Sequence, residues 1–507
     1  MPLRASSLCC GLLLALGTLA LTSCSTRYYK TPTDNFAGRP IPPSLLQERV
    51  LVGITINGSQ GELEILDGLR DLRSNIQYTK PTFSISGYSS GYPAQILNFP
   101  DELRGYVYSS VGNTLTNINY STEASAGSAA SLGGTATAIA IPTAFTRFYA
   151  AEEVASQLVV VDNTTGGAYA LNLPNVDQVV VNPGDTVTLA MTRNSNTLYR
   201  IFKLNANEYT TALAATQATG SVDCQPYNIP VYCVVPIPGN FDRPTNAYFS
   251  LDGSKVYVMN SGPEYGGTTA SISVIPISSL VNTIIPTTPV TSTSTSPVTA
   301  TVPVPGGVTT AISDGTNLYL AGQSLNSIAS NGTTVSGANA NGLFAGYLST
   351  MNLASNAVTA AYSISDGIHA QMLFADDNTL WIGSSSCANG VRQALFATGN
   401  TTQAANYNCL TMFNTSTLTP QIVPAVNQGS SAVTTPYPNT YQTDPYYYGS
   451  LGGICWVQNY HKMYTAYGGQ IHAFNTVDGS ERNNSQITVQ GTALDVAYMD
   501  ALTNTAN

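Results

Sequence analysis

The sequence predicts an all-β protein folded as a closed β-propeller. Three observations carry this. A unit of three short apolar runs recurs along the chain, and such repeats are the signature of stacked or radial architectures. The first copy lacks its opening strand, while the end of the chain carries a spare one. Helical periodicity is absent after residue 75, where Val, Ile, Thr and Tyr instead alternate between Gly, Asn, Asp and Pro.

The copies follow in order. The incomplete first is Arg49–Ile56 with Glu62–Ile65. The next opens near Pro93 and continues through Tyr106–Tyr108 and Asn113–Leu115. Ala136–Tyr149 is followed by Gln157–Asp162, and Val176–Leu189 by Thr197–Phe202. The clearest copy is Asn246–Asn260 with Ser271–Ile275. Later copies open at Val308, with Asp314-Gly315 and Leu318–Leu320, and at Ile368, with Leu380–Ile382. The last opens at Gly453, with Lys462–Tyr464 and Gln470–Phe474, and the spare strand is Ala493–Met499. A radial array must close, or its terminal sheets leave unpaired edges. The spare strand can complete the first sheet, which favours a ring over an open solenoid. The count is eight blades of four strands; seven would result if one divergent copy were an insertion. The propeller then spans residues 49–500, with a tail at 501–507.

The copy Ser250-Leu-Asp-Gly-Ser-Lys-Val-Tyr-Val-Met-Asn260 resembles the S-P-D-G-x-x-x-Y-V-x-N core of YVTN-type propeller repeats in prokaryotic surface proteins. Ser271–Ile275 is similar to that family's V-x-V-I-D strand, and Asn113–Leu115 and Gln157–Asp162 match the same parts. The Asp-Gly pair suits a tight hairpin that needs φ > 0. The resemblance implies a binding or scaffold protein, and a related branch contains sugar-lactone hydrolases.

The N-terminus reads MPLRASSLCCGLLLALGTLALTSC. Arg4 precedes the apolar run Gly11–Leu21, which has signal-peptide length and is too short for a transmembrane helix. Leu21-Thr22-Ser23-Cys24 resembles a bacterial lipobox. That resemblance implies removal of residues 1–23, lipid attachment at Cys24 and a membrane anchor, and Ser25 resembles the outer-membrane sorting pattern. Residues 24–48, rich in Pro and without strand periodicity, read as a spacer.

Charge is sparse: Asp, Glu, Lys and Arg make up 9% of the 507 residues, with net charge −10. Eighteen Lys and Arg in all cannot assemble the basic surface that nucleic acid needs. Five cysteines follow Cys24. Export permits disulfides, and two are expected, Cys224 with Cys233 and Cys387 with Cys409. Cys455 lies in the apolar run Gly453–Val457 and reads as a buried thiol. No CxxC or paired CxxH spacing marks a metal site.

Gly322–Asn341 and Ser384–Tyr407 fall between second and third strands, and Asn427–Gly449 between one blade and the next. Those connections emerge on one face of a propeller, while the turns after first strands stay short. One face is therefore expected to be elaborated and the other plain; the inserts at Ala206–Arg243 and Thr283–Pro305 fit either. Loops on a rigid scaffold favour binding. Pro436–Tyr448 is the densest aromatic stretch, so Tyr437, Tyr441, Tyr446, Tyr447 and Tyr448 are candidate ligand-stacking rings, against packing onto the rim.

No Gly-x-Ser-x-Gly elbow accompanies His369, His461 or His472. Asp366, Asp376 and Asp377 could supply oxygens to calcium, but their spacing does not match an EF-hand. Asp177 and Asp495 are the main carboxylates on inner strands. No catalytic residue, metal or cofactor is assigned. The expected function is a lipid-anchored cell-envelope propeller binding a protein or glycan through its elaborated face. The alternatives are a lactonase-like hydrolase and a structural surface or adhesion protein.

Overall fold

The computed structural model describes residues 40–69, 83–204, 231–281, 294–335, 342–398, 406–424, 448–482 and 491–502, with a few short pieces between them. Cys24 and Tyr437, Tyr441, Tyr446 and Tyr447 lie outside the described residues. The chain forms an eight-bladed β-propeller of antiparallel sheets. The innermost strands of blades 1 to 8 are, in turn, Thr492–Tyr498, Pro93–Phe99, Ala138–Ala140, Val176–Val181, Pro244–Phe249, Thr310–Ser313, Ile368–Ala375 and Leu451–Val457. The blades then run outward in chain order, with two exceptions. In blade 1 the innermost strand comes from near the end of the chain and pairs with Arg49–Thr55, and in blade 4 Val231–Ile237 pairs with Leu198–Leu204 while the earlier strand Asp223–Gln225 lies outside it.

Position in the blade sets burial. The second strand is covered by neighbouring blades on both sides: all seven residues of Arg49–Thr55 are buried, as are those of Lys462–Tyr467. The fourth strand lies at the rim. Ala357–Ser363 there alternates exposed and half-buried residues, as expected where one side meets water. Apolar clusters fill the gaps between blades. Tyr106, Leu115, Ile139, Phe148 and Ala150 join blades 2 and 3. Val50, Leu66, Cys455, Tyr464, Val496 and Tyr498 seal blade 8 to blade 1.

A buried polar latch reinforces the closure. Arg49, at 2% exposure, donates through its backbone N to Asp500 Oδ2 (2.8 Å), and through Nε (3.0 Å) and NH2 (2.7 Å) to Oδ1. Its NH1 donates to Glu123 Oε1 at 3.0 Å and to the Tyr120 carbonyl. The start of the first strand, the end of the last and a turn of blade 2 thus meet on one guanidinium.

The disulfide between Cys387 and Cys409 is present. It clasps the second–third connection of blade 7. Cys233 is disulfide-bonded and stands opposite Cys224 in register. Cys455 is free and buried. No helix among the described residues is long and apolar enough to cross a membrane.

Candidate functional site

Strands alternate direction, so connections sort by face. Second–third and fourth–first connections emerge on one face, the loop face. First–second turns and third–fourth connections emerge on the other. Blade 5 joins its second and third strands through Ser261–Ala270, blade 6 through 326–343 and blade 7 through 386–409. The opposite face is not plain, however. The inserts Ala206–Arg243 and Thr283–Pro305 each contain a fourth strand, Val231–Ile237 and Ala300–Pro303, so each begins as a third–fourth connection on this face and ends on the loop face. The first–second turns stay short, as in Ser250–Ser254, where Gly253 takes φ +68°, and so do the third–fourth connections of blades 2, 3, 6 and 7. The first and last described stretches, 40–48 and 499–502, share this second face. Ser44 donates to Glu123 in a third–fourth turn of blade 2, and the Leu502 N–H to Asp101 in a first–second turn.

At the axis a bulge recurs. The register slips near the start of the innermost strand in blades 1, 2, 4, 5, 7 and 8. In blades 2, 4, 5 and 7 the residue after the slip is an amide: Gln95, Gln178, Asn246 or Gln371. Bulges re-aim side chains, and here several bond to a neighbouring blade. Asn246 Nδ2 donates to the Thr309 carbonyl at 3.1 Å, and Thr309 Oγ1 to the His369 carbonyl at 2.7 Å. Gln371 Nε2 donates to the Gly452 carbonyl at 2.7 Å. Asp495 closes the series by accepting from the Ile96 N–H of blade 2 at 2.7 Å and from Val496 N–H at 2.8 Å. Gly453 is required beside it, since a Cβ there would lie 1.9 Å from Asp495 Oδ1. Burial pushes the Asp495 carboxyl up to about 7, against the pull of those two N–H donors.

Ionisable groups gather on the loop face between blades 3 and 6. Arg193 donates through Nε (2.5 Å) and NH2 (3.0 Å) to the two Glu153 oxygens, and its NH2 lies 3.3 Å from Asp177 Oδ2. Tyr265 is pushed up to about 12 by burial and by the charges of Glu264 and Asp177, with Arg193 opposing. Burial raises Glu264 to about 7, although Gln323 donates to it from its backbone N (3.0 Å) and Nε2 (3.1 Å). The arrangement can hold a polar ligand. It is poorly disposed to polarise a carbonyl, because the Arg193 fork is already neutralised and Glu264 has a donor on each oxygen. Sequence reasoning missed Glu153, Arg193, Glu264 and Tyr265. Glu264 and Tyr265 share one turn, Gly262–Tyr265, but Glu153 and Arg193 stand alone on the connections of two other blades, and no spacing links the three positions.

The other candidates separate. Asp177 and Asp495 both lie on innermost strands, in blades 4 and 1. Asp366 precedes the strand Ile368–Ala375 and Asp376-Asp377 follows it, so about eight residues at ~3.3 Å each keep them from sharing an ion. Asp376 accepts from Trp456 Nε1 and the His461 N–H, and Asp377 pairs with His461 Nδ1 at 2.7 Å. His369 is buried, its Nε2 lies 2.8 Å from the Ser365 carbonyl, and burial lowers it to about 4. His472 pairs with Glu481 at 2.6 Å. Tyr448, the one described member of the tyrosine stretch, is 7% exposed. Its ring packs on Tyr467 and His472 and its hydroxyl donates to Glu481, so it supports the rim rather than offering a stacking surface. Among the described residues no group of three or more His, Cys, Asp or Glu is placed to hold a metal.

No family model matches the chain, and no curated protein does. Solved structures do. Dihydro-heme d1 dehydrogenase NirN, in complex with DHE, aligns over 91% of this chain and 79% of its own, with TM-score 0.50 and 12% identity. Hydrazine synthase of Kuenenia stuttgartiensis aligns over 80% and 100%, with TM-score 0.44 and 12% identity. The Cps50 (Swd1) β-propeller domain of Myceliophteria thermophila aligns over 74% and 94%, with TM-score 0.41 and 9% identity. At such identities the likeness to NirN is one of fold alone.

Proposed function

We propose that the protein is a lipid-anchored propeller of the bacterial cell envelope, sorted to the outer membrane, whose loop face binds a protein or carbohydrate partner. The anchor rests on the Leu21–Cys24 sequence. The observation that carries the choice of face is where residues 40–48 meet the propeller. Residues 40–48 join the propeller on the face opposite the polar cluster of Glu153, Asp177, Arg193, Glu264 and Tyr265. A chain tethered at Cys24 would therefore turn that cluster away from the bilayer. About sixteen residues separate Cys24 from Pro40, a reach of at most ~55 Å.

Cys24→Ser in the full-length chain tests the anchor, read by labelled-palmitate incorporation and membrane fractionation. Loss of label and release from the membrane fraction are expected. Retention of both would refute lipidation. Biotin placed by a single Ser→Cys change at Ser195 on the loop face, or at Ser254 opposite, then tests orientation through accessibility in intact membranes. Hydrolysis of a lactone is favoured by one observation, the Glu264 carboxyl near 7 beside Tyr265, since a base poised near neutrality suits proton transfer. Turnover of sugar lactones that Glu264→Gln abolishes would favour it over binding.

A further inference from the structure

We infer that a cleft between blades 6 and 7, on the face that residues 40–48 join, binds one neutral sugar ring. The cleft has a volume of about 240 Å³ and is lined by Asp314, Thr316, Phe374, Asn378, Thr379 and Thr415, with Ala375. Two first–second turns, 314–316 and 376–378, form its walls, and Thr415 in a third–fourth turn closes the outer side. It lies across the molecule from the loop-face cluster, so it goes beyond the function proposed above and does not depend on it.

The lining selects the chemistry. Phe374 supplies an aromatic wall. Its ring is fixed edge-on to Tyr319, 5.7 Å between centroids at 79°, and the Tyr319 hydroxyl donates to Asp314 Oδ2 at 3.0 Å. The same Asp314 accepts from the Thr316 N–H (2.8 Å) and Asn317 N–H (2.7 Å) through Oδ1. Three donors already satisfy most of this carboxylate, so it does not demand a cation. Among the described residues no Lys, Arg or His lines the cleft, so none of these recruits a phosphate or carboxylate. Thr379 Oγ1 is spent on the Asp376 carbonyl and Trp381 Nε1, and Thr415 Oγ1 donates within the wall. What remains for a ligand is the Thr316 hydroxyl, the Asn378 amide, the Thr415 oxygen as an acceptor and one ring. That set matches a pyranose, whose C–H face packs on an aromatic ring while its hydroxyls take hydrogen bonds. The walls are preorganised. Asn378 holds φ 54°, and its carbonyl accepts from Thr415 N at 2.8 Å and Oγ1 at 2.9 Å. The volume lies below the ~300 Å³ where drug-sized sites begin, which suits a single ring.

Saturation-transfer NMR and calorimetry on the mature full-length chain, with glucose, galactose, mannose and N-acetylglucosamine as probes, test this. At least one is expected to saturate with a dissociation constant on the order of millimolar, the range open to about a dozen heavy atoms. Phe374→Leu keeps apolar volume and removes the ring, and Asn378→Gly keeps the turn and removes the amide. Each is expected to weaken binding at least fivefold with an unchanged unfolding temperature. Arg193→Met on the loop face is expected to leave it unaltered. No saturation by any of the four sugars overturns the inference, as does binding that survives both substitutions in the cleft.

Discussion

Arg49→Met should open the seam of the ring. The substitution keeps an unbranched apolar stem and removes the guanidinium. Asp500 and Glu123, at 1% and 6% exposure, would be left buried without their cation. Burial alone would pull the Arg49 pKa down, yet Asp500 and Glu123 hold it above its ordinary value, so the charged form is the one the fold needs. Breaking a buried pair from one side costs about 3–5 kcal/mol, because the stranded charge stays desolvated. The unfolding entropy of a ring of about 450 residues, at ~2.1 cal/mol/K each, is close to 1 kcal/mol/K. The unfolding temperature should therefore fall by about 3–5 °C at pH 7, read by calorimetry. The deficit should shrink toward pH 4, where the stranded carboxylates can take up protons. Arg193→Met is the control. That pair is 42% and 26% exposed and should cost under about 1 kcal/mol. A fall below 1 °C for Arg49→Met, or one equal to the control, would refute the reasoning.

Three further outcomes follow from the same geometry. Asp495 has its carboxyl raised to about 7 from 3.8, so the folded state holds a proton that the unfolded chain releases. Stability should fall as pH rises from about 4 through 7, with a ceiling of roughly 4 kcal/mol, and Asp495→Asn should flatten that slope in pH-dependent urea melts even if the plateau drops. Ending the chain at Gly491 removes the innermost strand of blade 1; exposure of the Arg49–Thr55 edge should give aggregates by size exclusion instead of a monomeric ring. Removing the Cys387–Cys409 bridge, which closes 22 residues of sequence, by a Cys387→Ser, Cys409→Ser pair should cost about 3 kcal/mol in calorimetric melts without reductant, with the fold retained.

Much of the ring was legible because its determinants are local. The Asp-Gly turn, the alternating runs and the amide that follows the first residues of several inner strands are readable within a dozen positions. Pro93-Ala-Gln95, Pro244-Thr-Asn246 and His369-Ala-Gln371 even hint at the bulge, although only the register shows that a residue is skipped. The bridge at Cys387–Cys409 was legible for the same reason, since its partners bracket one insertion. The loop-face cluster was not, because Glu153, Arg193 and Glu264 come from three blades. The assumption of a plain opposite face failed where long connections join third and fourth strands in blades 4 and 5. The fourth strand of blade 5, Ala300–Pro303, is only four residues long, and that of blade 4, Val231–Ile237, is apolar but lies inside a long insert with no turn motif to mark it.

The sequence by itself determined the strand units and the need for closure and held the blades to eight or seven, because unpaired edges and apolar periodicity follow from covalent order; the structure has eight. Only the tertiary structure decided which side chains meet across blades. Arg49 reaches Asp500 over 451 positions, and Asp495 receives the Ile96 N–H over 399. Such contacts depend on the angle at which the ring closes. That angle is set by packing between sheets, a sum over many weak contacts that no short stretch of sequence records.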